Sequence, residues 1–282
     1  MKNILLPTDF SNNSLNAIHY AIALFNKTPC NFYLLNVFRI PYQTNEILME
    51  NDVNQLAKIE ADLYDSSQKG MQEIVKKIKI KVKSYHQFHL LSDYNLFINS
   101  IQKYIKEEDI DLVILGTKGA TGAKEIFMGS NTGDVIMKTD CNVLAVPENA
   151  SFSIPNEITF PTDFKIPYKE EELAQLLEIS KMYQSNIRVL LFNNKEYLDE
   201  EQKSNKKTLH NYLEKIEHSY HTLTNTDFEE ALNCFTQSRG NIDMIAMIAK
   251  HYNFFQRLFF KPKVEALSFH TKIPLLVLHK DK

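Results

Sequence analysis

The chain has 282 residues, a formal net charge of −3, 44% hydrophobic and 24% charged residues. That composition excludes collagen-like, disordered and disulfide-scaffold classes, and the length is that of two average domains. Residues 1–150 hold 15 basic and 17 acidic side chains and the remainder 17 and 18, so neither half offers the basic excess expected of a partner for nucleic acid or an anionic membrane surface.

In chain order, residues 2–7 form a continuous apolar stretch that reads as a strand. Ser11 is a plausible N-cap, and Ala17, Ala21, Leu24 and Phe25 give the stripe of a helix. Residues 31–38 read as a second strand, 52–82 as a long charged helix, and Tyr85 to Leu91 as a third strand. Phe97, Ile101, Tyr104 and Ile105 mark a further helix, Asp111 to Leu115 a buried strand, 130–139 a helix and 142–147 a last strand. Strands are expected again near 157–161, 186–192, 219–224, 242–247 and 274–279, with helices between. Apolar, non-alternating strands separated by helices imply a parallel sheet covered on both faces.

The chain also repeats itself. Pro7-Thr8-Asp9-Phe10 recurs 154 residues later as Pro161-Thr162-Asp163-Phe164. Asp111-Leu112-Val113-Ile114-Leu115 aligns at an offset of 132 with Asp243-Met244-Ile245-Ala246-Met247, and 142–146 with 274–278. Two homologous domains are expected, 1–150 and 151–282, divided in the polar stretch Glu148 to Ser151 and with the second shorter in its middle.

Glycine usage is the sharpest compositional signal. The chain has seven, and five of them (Gly116, Gly119, Gly122, Gly129 and Gly133) fall in the 18-residue stretch 116–133, which runs from the fourth strand into the following helix. A helix N-terminus preceded by such a segment, beyond the carboxyl end of a parallel strand, suits a phosphate. Ser130 and Thr132 add hydroxyls. The spacing is neither a Walker A loop nor the dinucleotide fingerprint. The competing expectation is a glycine segment that turns tightly and binds nothing.

Gly116-x2-Gly119-x9-Gly129-Ser130, together with Pro7-Thr8-Asp9-Phe10-Ser11 and Leu34-Leu35-Asn36-Val37, resembles the universal stress protein family over nearly the whole chain. A histidine is more common than Asn36 at its position. The resemblance implies two open parallel-sheet α/β domains with strand order 3-2-1-4-5, packed as a pseudo-dimer within one chain, with 143–146 and 275–278 pairing across the halves. A homodimer is the other arrangement it allows.

The resemblance further implies ATP binding in the first domain, with Mg²⁺ on the phosphates. Asp9 would contact the ribose side, with Pro7 and Thr8 along the same wall. The main chain of Val37 would read adenine. Gly116, Thr117, Gly119, Gly129, Ser130, Asn131 and Thr132 would cradle the phosphates and ribose. The other expectation for Asp9 is a turn or cap carboxylate. In the second domain Ile248, His251, Lys261 and Pro262 stand where Gly116, Gly119, Gly129 and Ser130 stand in the first. That domain is therefore expected not to bind ATP in the family manner, with Asp163 structural. The apolar segment 253–260 is expected to fill the vacated pocket or to pack on an unidentified protein partner.

No general base or second basic clamp on a γ-phosphate is evident, so at most slow ATP hydrolysis is expected. The implied role is a nucleotide-dependent stress regulator. A weak self-phosphorylating ATPase, a nucleotide-free interaction protein and an unrelated flavin or sugar-phosphate enzyme are the rivals. His210, His218 and His221 are expected to be solvated near a helix end rather than to bind a metal, and His86 and His89 to face opposite sides of a strand. The odd number of cysteines and the absence of a long apolar run point to a cytoplasmic protein with reduced thiols, off the membrane.

Overall fold

The computed structural model describes residues 1–40, 53–79, 83–117, 130–193, 197–224, 226, 228–249 and 272–279. In chain order the first half is β1 (Lys2–Pro7), α1 (Asn12–Leu24), β2 (Cys30–Phe38), α2 (Val53–Lys79), β3 (Gln87–Tyr94), α3 (Phe97–Glu107), β4 (Leu112–Gly116), α4 (Ser130–Lys138) and β5 (Asn142–Val146). The second is β6 (Glu157–Thr162), α5 (Glu170–Tyr183), β7 (Asn186–Asn193), α6 (Glu200–Leu213), β8 (His218–Thr224), α7 (Phe228–Arg239), β9 (Met244–Ile248) and β10 (Leu275–Leu278). Every element expected from the described stretches is present. The largest displacement is at β3, which begins two residues later than Tyr85 and runs three past Leu91.

All ten strands form one sheet in the order β3-β2-β1-β4-β5-β10-β9-β6-β7-β8. Each half has the order 3-2-1-4-5, parallel throughout, and the halves join where β10 runs antiparallel to β5, with Leu276 opposite Leu144. That pairing covers an edge on each half that would otherwise expose a row of amides and carbonyls.

Side chains alternate across the sheet. Ile4 and Leu6 pack on α1 and α2 through Ala17, Ile18, Ala21 and Met71, whereas Leu5 joins Ile101, Ile105 and Val135 of α3 and α4. Both faces are thus buried, which is why these strands read as unbroken apolar runs. His89 of β3 stacks on Tyr33, while His86, expected on the same strand, lies just ahead of it against Phe32 on the opposite face.

Equivalent bonds recur in the two halves. The Asp111 carboxylate accepts from the Asn3 amide at 2.7 Å, and the Asp111 amide donates to the Asn3 carbonyl at 2.9 Å. Its counterpart Asp243 accepts from the Glu157 amide at 3.1 Å and donates its own amide to the Glu157 carbonyl at 2.9 Å. Gly116 pairs with Val146 and, 132 residues on, Ile248 pairs with Leu278. Off the sheet, Tyr183 of α5 donates to the Leu24 carbonyl at 2.5 Å, and Lys2 pairs with Glu178.

Candidate functional site at the switch between β1 and β4

In the order 3-2-1-4-5, the connections from β1 and β4 leave in opposite directions. Their carboxyl ends therefore border a crevice, the usual place for a ligand in this kind of sheet. Pro7, Thr8 and Asp9 leave β1 there, Gly116 and Thr117 leave β4, and α4 begins at Ser130.

The turn after β1 is built from side-chain bonds. The Phe10 amide donates to Thr8 Oγ1 at 3.0 Å, and the Ser11 amide donates to Asp9 Oδ1 at 3.0 Å. These two bonds hold Phe10 at a φ of 64°, a left-handed conformation that non-glycine residues seldom adopt. Ser11 then caps α1 by accepting from the Ser14 amide at 3.2 Å. The Ser14 hydroxyl donates to the Ser11 carbonyl at 3.0 Å, so at the 3.0 Å contact between Thr8 and Ser14 the Thr8 hydroxyl is the donor. Partial burial pushes the Asp9 carboxyl up. The Ser11 hydroxyl and amide outweigh it and hold the carboxyl below its ordinary range. Asp9 itself is exposed.

The second half repeats this turn. The Phe164 amide donates to Thr162 Oγ1 and the Lys165 amide to Asp163 Oδ1, both at 3.0 Å, with Phe164 at a φ of 56°. The recurrence of Pro-Thr-Asp-Phe thus has a structural cause in both halves. The two aromatic rings differ. Phe10 is 39% exposed, whereas Phe164 is fully buried, against Tyr168 and Tyr220.

At the β4 side, a Cβ on Gly116 would meet the Asn13 carboxamide at 2.2–2.7 Å. The missing side chain there makes room for α1. The Thr132 hydroxyl donates to the Gly116 carbonyl at 2.8 Å, which ties the start of α4 back to the end of β4. Asn36 of β2 is buried and donates its carboxamide to the Thr8 carbonyl at 2.8 Å, while Thr8 donates its amide to the Leu35 carbonyl at 2.8 Å. Val37 follows, half-buried. Asn131 is exposed, and Thr132 is buried.

Thr8 is thus bonded to Ser14 and Asn36, and Gly116 to Thr132, with Asn13 packed beside Gly116. Sequence reasoning missed Asn13 and Ser14. Their only signal was polarity on the inner side of a helix whose other inward residues are apolar. Gly119 and Gly129, with Gly122, Lys118 and Lys124, lie outside the described residues, as does the side chain of Ser130. The segment 253–260 lies outside them too, together with His251, Lys261 and Pro262.

Elsewhere, His210 Nδ1 meets His218 Nε2 at 3.0 Å, while His221 turns to the opposite face, against Ser219 and Phe235. The sequence expectation put all three at a solvated helix end. Two of them, His218 and His221, stand on β8 instead, three residues apart and so on opposite faces. Cys30 and Cys141 are buried and Cys234 is exposed, all as free thiols. Among the described residues no helix is long and apolar enough to cross a membrane.

Residues 1–147 match the family described as the universal stress protein family. The chain belongs to this family. A curated universal stress protein of Methanocaldococcus jannaschii is 26% identical over 151 residues, covering 51% of this chain and 81% of its own. A second from the same organism is 28% identical over 162 residues, covering 53% and 97%. Among solved structures, a universal stress protein from Archaeoglobus fulgidus aligns over 99% of this chain and 96% of its own, with a TM-score of 0.66 at 16% identity. That likeness covers both halves of the universal stress protein fold.

Proposed function

We propose that this is a tandem universal stress protein, cytoplasmic, whose domain 1–150 binds an adenine nucleotide and whose domain 151–282 is a degenerate partner, and that it acts as a nucleotide-dependent regulator in a stress response. The observation that carries the reading is the crevice at the switch between β1 and β4. The glycine-rich segment that bears the family spacing connects β4, at one wall of that crevice, to the N-terminus of α4. Main-chain amides and a helix dipole are the groups that hold phosphate without a charged side chain.

In this reading Gly116, Thr117, Gly119, Gly129, Ser130, Asn131 and Thr132 receive the phosphates and ribose, Pro7, Thr8 and Asp9 form the facing wall, and Val37 meets the base. The exposed Asp9 carboxylate, kept ionised by Ser11, suits ribose hydroxyls as an acceptor. Mg²⁺ would be carried on the phosphates and would balance their charge. The degenerate status of the second domain draws on Ile248, which carries a buried side chain at the ladder position equivalent to Gly116, and on the buried ring of Phe164.

The test is calorimetric titration with ATP of the wild type and of Gly119→Val. Binding by the first and its loss in the second, with an unchanged melting profile, is expected. Binding that survives the valine would move the site elsewhere. A second reading, an interaction protein that needs no nucleotide, draws on Asn13, whose side chain already occupies the space beside Gly116. No heat of binding and no thermal shift with ATP would favour it.

A further inference from the structure

Away from the β1–β4 crevice, the second half has a groove of about 480 Å³ between α6 and the edge strand β8, lined by Tyr197, Leu198, Lys203, Lys206, Lys207, His210 and Tyr220. It is an open groove rather than an enclosed cavity. Lys203, Lys206, Lys207 and His210 are spaced i, i+3, i+4 and i+7, so α6 turns one basic face toward it. The lining contains no carboxylate.

These groups are held in place. Lys203 is engaged by Glu200 at 2.6 Å. The Lys206 ammonium sits 4.8 Å from the centre of the Tyr220 ring, a cation–π contact that fixes the long side chain over the strand. His218 Nδ1 lies 2.8 Å from the Ile216 carbonyl, which only accepts, so the ring donates there. Its Nε2 is then the acceptor for His210 Nδ1 at 3.0 Å, and this relay fixes the His210 ring. The Tyr220 hydroxyl is shielded from solvent and has no hydrogen-bond partner among the described residues. At the rim Tyr197 is 77% exposed, a large ring left for a flat partner.

We infer that this groove is a second ligand site, for a small polyanion that carries a flat ring. Its phosphate, sulfonate or carboxylate groups are taken by Lys206 and Lys207, and the ring lies against Tyr197. A small molecule fits better than a nucleic acid strand, because the cationic face holds three lysines, one of them paired with Glu200, and the chain carries a net charge of −3.

The experiment uses the full chain and 8-hydroxypyrene-1,3,6-trisulfonate, a flat fluorescent trianion, followed by anisotropy. One-to-one binding is expected. It should weaken at least tenfold in Lys206→Ala/Lys207→Ala and severalfold in Tyr197→Ala, and be displaced by inorganic tripolyphosphate. Lys207 and Tyr197 are exposed and alanine suits a helix, so unchanged melting temperatures should accompany the loss. Asp9→Ala, which alters the β1–β4 crevice, should leave probe binding unchanged. A loss in Asp9→Ala but not in the lysine variant would overturn the assignment, as would equal binding by all variants. Displacement by an oligothymidylate that tightens with strand length would overturn it too, in favour of a nucleic-acid surface.

Discussion

Gly116 shows how one missing side chain serves the packing before it serves any ligand. Its α-carbon lies against the buried Asn13, so Gly116→Ala forces a methyl into a carboxamide that has little room to give. The substitution should lower stability by about 1–3 kcal/mol, the usual cost of overpacking. Urea denaturation of Gly116→Ala, Asn13→Ala and the double variant checks this, with the double recovering part of the loss if the clash is the cause. Asp9 and Asp163 form a second residue-scale comparison. Each accepts one amide in an equivalent turn, so each change to alanine should cost about 1 kcal/mol. If the first half holds the nucleotide as proposed, only Asp9→Ala should also weaken ATP binding, by calorimetry.

At the scale of elements, the helix starts differ in quality. Ser11 caps α1 with its side chain, whereas Leu96 at the N-cap of α3 and Lys169 at the N-cap of α5 make no side-chain cap bond. Ser11→Ala should destabilise by about 1 kcal/mol, and Leu96→Asp should stabilise by a similar amount, because it supplies an acceptor and removes an exposed apolar side chain. Thermal melts of both variants test the pair of opposite signs. The elements themselves were legible in the sequence because burial on two faces leaves strands without alternation and helices with a single stripe. The shift at β3 was not. His86 is apolar in its setting, buried against Phe32 ahead of the strand, and its ring looks like strand in the sequence.

Across the whole molecule, the seam between β5 and β10 makes one sheet of two halves. Leu276 is fully buried there, and Leu276→Ala should cost about 2–5 kcal/mol. A calorimetric scan should show the loss in one shared transition. His279 closes the same seam, with its Nε2 2.8 Å from the Ile136 carbonyl and its amide on the Asn142 side chain. Burial holds its pKa below the ordinary 6.5, against a smaller upward pull from the Ile136 carbonyl and Asp140. The unfolded chain therefore takes up a proton at a higher pH than the folded one. This contribution is complete above pH about 6.5 and is lost as pH falls from there through the lower folded value. Melting temperatures taken from pH 7.5 to 5 should fall on the acid side, and His279→Gln should flatten that part of the curve. A curve with the same slope in the variant would remove His279 from the account.

The order of elements, the recurrence of short segments and the family spacing of the glycines were written in the sequence, because each depends on local pattern or on a stretch of chain compared with itself, whereas the pairing of the two last strands was implied only by the family resemblance. Tertiary structure alone decided that Asn13 fills the space beside Gly116, that Asn36 and Thr8 share a bond, that Phe164 is buried where Phe10 is exposed, and that three lysines and two tyrosines meet across α6 and β8. Those outcomes depend on side chains tens of residues apart converging in space, and nothing in the spacing of a linear chain records which of its surfaces will meet.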